Sequence, residues 1–139
     1  FPLRCSRMPK EQKRERFAQI YDREFDKMDC VDYIKIAPNT TVHSRHLYIL
    51  KLELVKLKID RNQFIIELNE RNVGTSVHFA PVHLMSAYRD RFGFKEGDFP
   101  NTEQYWNRIV SIPLYSSMEE EDVYYVIDAV KDVAEKFGK

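Results

Sequence analysis

The sequence predicts a small domain of the α/β class, in which helices pack on a sheet of few strands. Hydrophobic residues make up 43% of its 139 residues, which is enough to bury one core. Segments with helical spacing alternate with short runs of β-forming residues, as is typical of a sheet covered by helices. Near the carboxyl end, apolar residues keep helical spacing over about four turns. We therefore expect an open sheet of three or four strands, with the first and last helices on one face.

The first third of the chain predicts a helix and a strand. Residues 10–28 carry an apolar stripe at helical spacing, formed by Phe17, Ile20, Tyr21 and Phe25. Residues 31–38 mix apolar residues with loop signals, so no strand or helix is predicted there, and residues 38–40 predict a turn. Residues 46–54 are the clearest strand, because β-formers dominate there and Gly and Pro are absent. Apolar residues on both faces at its start predict that this strand is covered on both sides there.

The rest of the chain predicts a further alternation of helices and strands. Asp60 is placed to cap a helix with Gln63 as its reciprocal partner, and Gly74 is expected to end that helix in the left-handed conformation. The elements that follow are a strand at 75–79, a helix from Pro81 or Val82 to about residue 92, a helix that starts at Pro100, a strand at 109–114 and a helix at 122–137. Acidic residues before the last helix and lysines near its end complement its dipole.

Charge and cysteine content exclude several classes of protein. The chain has 22 basic and 22 acidic residues, so nothing favours a nucleic-acid partner, and the basic cluster at 4–16 is interpreted as a solvated helix face. No apolar run approaches the roughly 20 residues that cross a bilayer, and the opening residues are too short for a signal peptide. Cys5 and Cys30 lack a third ligand for zinc, and a reduced cytoplasmic pair is favoured over a disulfide. The chain begins with Phe1, so we expect it to be a piece of a longer protein.

The sequence lacks the common catalytic motifs, since it contains no GxxxxGK[ST], GxGxxG, HExxH or GxSxG. Its unusual stretch is VHFAPVH at 77–83, in which His78 and His83 flank an expected strand-to-helix turn. Turns of this kind are where α/β proteins place ligand contacts. Three interpretations stay open for the two histidines: ligand contact, metal binding without a nearby carboxylate or cysteine, and burial as hydrogen-bonded structural residues. A structural role is expected for His43 and His46.

Aromatic residues follow these histidines closely along the chain. They are Tyr88, Phe92, Phe94, Phe99, Tyr105 and Trp106. Such residues either pack beneath a sheet edge or form a surface on which a nucleotide stacks, and core packing is favoured.

Several short strings in the chain form a set whose order is more informative than any one of them. They are HLY at 46–48, Arg61, NVGT at 72–75, HFAPVH at 78–83, YR at 88–89, GDFP at 97–100, Glu103, SIPLY at 111–115 and EDV at 121–123. In this order they resemble the C-terminal region of the DegT/StrS family of sugar aminotransferases, from about residue 13 to residue 137. The sequence departs from the family pattern at Phe79, where Tyr is common, and at Ser116-Ser117, where Pro-Gly is usual. Glu119 replaces a capping Thr, which is expected to weaken one helix cap.

The resemblance implies a fold and a function. Residues 10–139 are then the small C-terminal domain of an enzyme of the aspartate aminotransferase type, with a mainly antiparallel sheet, after an unassigned segment 1–9. Family members are homodimers that hold pyridoxal phosphate on a Lys of a large domain and move an amino group, usually from glutamate, to a nucleotide-linked keto-sugar. That Lys lies in a segment this chain does not contain. The resemblance therefore assigns the chain no catalytic, cofactor-binding or metal-binding residue, and we expect the chain alone to be inactive.

The resemblance also implies contacts to the substrate, because the small domain closes over the cleft. The residues to which we assign these contacts are His78, Phe79, Pro81, His83 and Tyr88. The expected partners are the nucleotide sugar and glutamate, with no nucleic acid and no membrane, and the expected location is cytoplasmic. Two alternatives stay open: a stand-alone binding module with the same fold, and a regulatory family member that does not transaminate.

Overall fold

The computed structural model describes residues 9–139, and in that part of the chain it contains one three-stranded antiparallel sheet and five α-helices. The elements are α1 (Lys10–Phe25), β1 (Val31–Tyr33), β2 (Tyr48–Leu52), α2 (Arg61–Glu70), α3 (Ser86–Phe92), α4 (Pro100–Trp106), β3 (Ile109–Ile112) and α5 (Glu120–Phe137). Two single 3-10 turns, Leu54–Lys56 and Val82–Leu84, lie between them. The predicted fold class is confirmed. The segment 1–9, which includes Cys5, lies outside the described residues except for Pro9.

The central strand of the sheet is β2, which pairs antiparallel with β1 on one side and with β3 on the other. Both β2 and β3 lie within the segments that predict strands. The absence of a predicted strand at 31–38 is partly wrong, because Val31–Tyr33 forms an edge strand in which Val31 lies opposite Leu52. Three residues are too few to show a period of two, so this strand is defined by its pairing and not by its own sequence.

One core joins the inner face of the sheet to α1, α2 and α5. From β2, alternate residues point into it, and the ring of Tyr48 lies 4.8 Å from that of Tyr21 in α1. The buried residues of α5 are Val123, Val126, Ile127, Ala129, Val130, Val133 and Ala134. The first and last helices therefore share one core, as their apolar stripes predict. Ile49, on the other face of β2, is only partly buried, so the cover predicted on both sides of this strand is incomplete.

The structure confirms the cap predicted at the start of α2 but not the residue predicted to end it. The Asp60 carboxylate accepts the backbone N–H of Gln63 at 2.8 Å, so the predicted N-cap is confirmed, although the Gln63 side chain bonds Glu67 and does not return to Asp60. At the other end, Asn72 and not Gly74 takes the left-handed conformation, with φ 56°. The N–H groups of residues 72 and 73 then bond the carbonyls of residues 69 and 68, at 2.9 and 3.0 Å, which closes a Schellman motif.

The strand predicted at 75–79 is reduced to a single bridge. Ser76 exchanges two backbone hydrogen bonds with Ser111 of β3, at 3.1 and 2.8 Å, and the chain then leaves the sheet edge. Since Pro81 has no N–H to donate and restricts the residue before it, this stretch is poorly suited to continue a ladder. The helix predicted from 81 to 92 is likewise divided into the 3-10 turn and α3. The residue between them, Met85, has extended backbone angles.

The N-terminus of α5 is capped although Glu119 occupies a position where the family pattern has Thr. The backbone N–H of Glu119 donates to the Asp122 carboxylate at 2.8 Å. The Glu119 carboxylate also accepts a hydrogen bond from Lys13 of α1 at 2.9 Å. The replacement therefore adds a contact between the first and last helices and leaves the helix end closed.

Candidate functional site

The turn from His78 to His83, called the His turn below, begins at the open edge of β3. The Nδ1 atom of His78 lies 3.0 Å from the Oγ atom of Ser111 and 3.2 Å from that of Ser76. Ser111 is buried within β3, and its backbone bonds hold Ser76 alongside. The imidazole of His78 is therefore fixed against the sheet through one nitrogen. Among the described residues, Nε2 of this ring has no hydrogen-bond partner.

The second half of the His turn is held by Glu103 of α4. The Nε2 atom of the buried His83 lies 2.8 Å from Oε1 of Glu103, and the two rings of His83 and Phe99 have centroids 4.7 Å apart. The same carboxylate accepts the backbone N–H groups of Gly97 at 3.0 Å and of Phe99 at 3.4 Å. The hydrogen bond to His83, with those from the two backbone groups, lowers the pKa of the Glu103 carboxyl. His83 is thus a buried residue that connects the turn to α4.

The five residues predicted to contact the substrate differ in their exposure to solvent. Pro81 and His83 are buried, and His78 is partly buried. Phe79 is 73% exposed and Tyr88 is 44% exposed. The rings of His78 and Phe79 meet edge to face at 4.8 Å, whereas Tyr88 stacks on Phe92 within α3. The structure therefore brings His78 and Phe79 together at the surface, whereas Pro81 and His83 are buried and His83 contacts Glu103 and Phe99.

The core packing favoured for the aromatic residues after the His turn is wrong for most of them. Tyr88, Phe92, Phe99 and Tyr105 are all exposed, and none belongs to the core cluster. The reason is that α1, α2 and α5 already fill the inner face of the small sheet. The helices α3 and α4 have seven residues each and bury none of them fully, so their rings stay at the surface.

Two residues of this region carry roles that the sequence did not reveal. Ser111 and Glu103 appear in the sequence only as letters of the family strings, and their partners lie 33 and 20 positions away. A hydroxyl in the otherwise apolar strand IVSI could have indicated Ser111, because buried polar groups need a partner. The pairing of Glu103 had no such signal.

A structural role was expected for the two histidines before β2, and of the two only His43 has a side-chain hydrogen bond among the described residues. The Nδ1 atom of His43 accepts the backbone N–H of Arg45 at 3.1 Å, and His46 is exposed. Arg45 itself is buried, and its guanidinium bonds Glu15 at 2.9 Å and Asp22 at 3.2 Å. This ion-pair cluster connects the loop before β2 to α1.

A groove of about 700 Å³ lies away from the His turn, between residues 27–30 and the end of α5. Its lysines are largely neutralised, since Lys27 and Lys131 both bond Glu24 and Lys56 bonds Asp29. Burial raises the pKa of the Cys30 thiol in its wall, which makes that group a poor nucleophile. Three of the lysines that line the groove are therefore paired with acidic side chains, and its cysteine is not activated.

Among residues 9–139, no group of three His, Cys, Asp or Glu side chains is arranged to hold a metal ion. No helix in that range combines the length and the apolar character needed to cross a bilayer.

Comparison with known proteins identifies the chain. The sequence profile of the DegT/DnrJ/EryC1/StrS aminotransferase family matches residues 7–131. The chain belongs to this family. The predicted resemblance is thus confirmed, and the His turn and both residues that hold it lie inside the matched range.

Relatives of this aminotransferase-family chain are much longer than the chain itself. It is 44% identical over 121 residues to MJ1066 of Methanocaldococcus jannaschii, a match that covers 87% of the chain and 31% of MJ1066. It is 48% identical over 92 residues to SpsC of Bacillus subtilis, a spore coat polysaccharide biosynthesis protein, over 66% of the chain and 24% of SpsC. The chain therefore spans a third or less of these relatives.

A solved structure supports the same assignment. Spr1654 of Streptococcus pneumoniae, a protein assigned as a sugar aminotransferase and solved in its PLP form, superposes with a TM-score of 0.78 and 30% identity. The match covers 91% of this chain and 32% of Spr1654.

Proposed function

We propose that the chain is the small domain of a pyridoxal-phosphate-dependent aminotransferase that transfers an amino group from glutamate to a nucleotide-linked keto-sugar. Membership of the family supports the reaction type. The likeness to a polysaccharide biosynthesis protein and to a PLP-containing relative supports the substrate class and the cofactor. The observation that supports a role for this chain in substrate binding is the geometry of the His turn. There the imidazole of His78 is held through Nδ1, its Nε2 has no partner among the described residues, and the exposed ring of Phe79 lies beside it.

In this proposal His78 donates or accepts a hydrogen bond at the substrate through Nε2. Its Nδ1 is held by two serine hydroxyls, so the ring loses little freedom when a ligand binds. Pro81 fixes its own φ, which stiffens the turn. A sugar hydroxyl or a phosphate oxygen is the type of group that such a nitrogen recognises.

Phe79 and Tyr88 supply the apolar part of the contact. Both are exposed aromatic rings, and aromatic faces pack against sugar rings and nucleobases. Pro81 and His83 act as support, because both are buried and His83 is bonded to Glu103. The five residues thus have two kinds of role, contact and positioning.

The described residues do not fit a site for the cofactor. None of the lysines in residues 9–139 is buried, and those nearest to burial, Lys13 and Lys51, each bond an acidic side chain. We therefore place the cofactor-bearing lysine in the remainder of the full-length protein. When bound there, pyridoxal phosphate supplies an electron sink, and this domain contributes substrate contacts and the exclusion of water. The full-length protein is proposed to be a cytoplasmic homodimer, as the family resemblance implies.

The proposal is tested by the kinetics of His78→Ala in the full-length protein. Loss of one polar substrate contact is expected to cost about 1–3 kcal/mol, which lowers kcat/KM for the keto-sugar roughly tenfold to a hundredfold. His46→Ala is the matched control, because His46 is exposed and lies outside the His turn. Wild-type kcat/KM in His78→Ala, together with a lower Tm, assigns His78 a purely structural role and contradicts the proposal.

A further inference from the structure

The two hydroxyl groups at His78 have no other hydrogen-bond partner within the described part of the chain. Both Oγ atoms, those of Ser76 and Ser111, are directed to the same Nδ1 atom, at 3.2 and 3.0 Å. Ser111 is only 4% exposed, so water has little access to its hydroxyl. Ser76 is exposed and can also bond water. The hydrogen-bonding requirements at this place are therefore set mainly by Ser111.

A count of donors and acceptors distinguishes the two neutral forms of the ring. A neutral imidazole carries one proton, and its other nitrogen is an acceptor. If Nδ1 carried the proton, it would donate to one serine oxygen, and the buried hydroxyl proton of Ser111 would have no acceptor. An unsatisfied buried donor is costly. If Nδ1 is the acceptor, the Ser111 hydroxyl donates to it and no buried group is left unsatisfied.

We infer that Ser111, assisted by Ser76, is a positioning residue that holds His78 in the tautomer whose proton is on Nε2. The open nitrogen of the His turn is then a donor, which selects acceptor oxygens such as those of a carbonyl, a phosphate or a hydroxyl lone pair. The inference deepens the proposed function and rests on it for the identity of the ligand. The tautomer itself depends only on the contacts among His78, Ser76 and Ser111.

The position of Ser111 on β3 makes this arrangement rigid. The backbone of Ser111 pairs with Ile49 of the central strand and forms the bridge to Ser76. The hydroxyl that orients the ring is thus anchored to the core sheet, whereas the ring belongs to the turn that would meet the substrate. A rigid element that orients a contact residue on a turn is the arrangement expected of a pre-organised binding site.

The test is ¹⁵N NMR of the histidine rings in the 139-residue chain, under conditions in which the His78 ring is neutral. His78→Gln assigns the His78 signals by their disappearance. We expect Nδ1 to show the shift of an unprotonated nitrogen and Nε2 that of a protonated one. In Ser76→Ala/Ser111→Ala, both shifts should move toward the averages of an unconstrained histidine. Ser111→Thr keeps the hydroxyl and should keep the wild-type pattern, and Ser117→Ala removes an exposed serine outside the His turn and serves as the control.

Backbone amide spectra of each variant establish that it is folded before its tautomer is interpreted. If Ser76→Ala/Ser111→Ala does not fold, Ser111→Ala alone is measured and should show a smaller shift in the same direction. A proton on Nδ1 in the wild-type chain overturns the inference, and so does an unchanged pattern in a folded variant that lacks the hydroxyls. These outcomes are independent of the kinetics of His78→Ala. Failure of the proposed function and failure of the tautomer assignment are therefore told apart.

Discussion

Glu103 accepts hydrogen bonds from the ring of His83 and from the backbone N–H groups of Gly97 and Phe99, all through one carboxylate. Three segments of the chain therefore depend on its negative charge: the 3-10 turn, the loop before α4, and α4 itself. Because these donors favour the ionised form, the pKa of Glu103 is lowered below its ordinary value of 4.5. A carboxyl with a lowered pKa stabilises the fold above its unfolded-state pKa, and this stabilisation is lost as the pH falls through the folded-state pKa.

We therefore predict that Glu103→Gln lowers the Tm at neutral pH and that the difference from wild type narrows as the pH falls below about 4.5. The neutral amide keeps an acceptor oxygen but loses the charge, so its hydrogen bonds are weaker. Thermal unfolding followed by circular dichroism over a pH series measures the effect. Glu96→Gln removes an exposed charge nearby and should leave the pH profile unchanged. A constant difference in Tm at every pH would show that the charge of Glu103 plays no part.

At the level of single residues, the sequence singled out His78 and His83, but it did not predict their hydrogen-bond partners. The pattern HxxxxH around a proline, spanning His78 to His83, is visible within one short window. Their partners, Ser111 and Glu103, are brought to them by the return of the chain to the sheet edge through β3 and by α4. No local pattern encodes such pairs, because they arise from tertiary packing. The structure is what separates the open nitrogen of His78 from the bonded one of His83.

At the level of elements, the long amphipathic helices and the strands β2 and β3 were predicted well. The predictions were wrong at β1, at the strand expected at 75–79 and at the single helix expected up to residue 92. The stripes of α1 and α5 repeat over several turns, and burial of each stripe determines its helix. In contrast, β1 has three residues, and the segment after α2 makes a single bridge to β3. Their conformations depend on the neighbouring strand and not on their own periodicity. The same holds for Met85, whose extended conformation divides the predicted helix in two.

The end of α2 allows a test of which residue, Asn72 or Gly74, takes the left-handed conformation. Asn72 has φ 56°, whereas Gly74 lies outside the left-handed region, and a Cβ atom placed on it meets nothing within 4 Å. Asn72→Ala is therefore expected to destabilise the chain by roughly 1–2 kcal/mol, because Ala is strained in this conformation. Gly74→Ala should be neutral or stabilise by about 0.4–1 kcal/mol through a less flexible unfolded chain. Urea unfolding of both variants measures their free energies of unfolding. If Gly74→Ala destabilised the chain more than Asn72→Ala, the left-handed residue would be Gly74 and not Asn72.

At the scale of the whole molecule, the sequence predicted the class of fold, and the family strings predicted the assignment. The fold class followed from alternating helical and strand patterns, and the structure shows one three-stranded antiparallel sheet with helices on it. The family was recognised from the order of many weak strings, and the match over residues 7–131 confirms it. The exposure of the aromatic rings on α3 and α4 could not be predicted. It depends on how much of a small core three other helices already fill.

The isolated chain contains a hydrophobic core but no buried lysine among its described residues. Its apolar residues form one continuous core, so the 139-residue chain should fold. It should not transaminate, because no described lysine lies in a buried site and the chain matches only 31% of MJ1066. With pyridoxal phosphate and borohydride, we expect labelling spread over several exposed lysines, as mapped by peptide mass spectrometry, and no amino transfer from glutamate. The full-length protein, treated alike, should show in addition stoichiometric labelling of one lysine outside residues 9–139. Stoichiometric labelling of a single lysine in the isolated chain, together with turnover, would show instead that this domain carries the catalytic site.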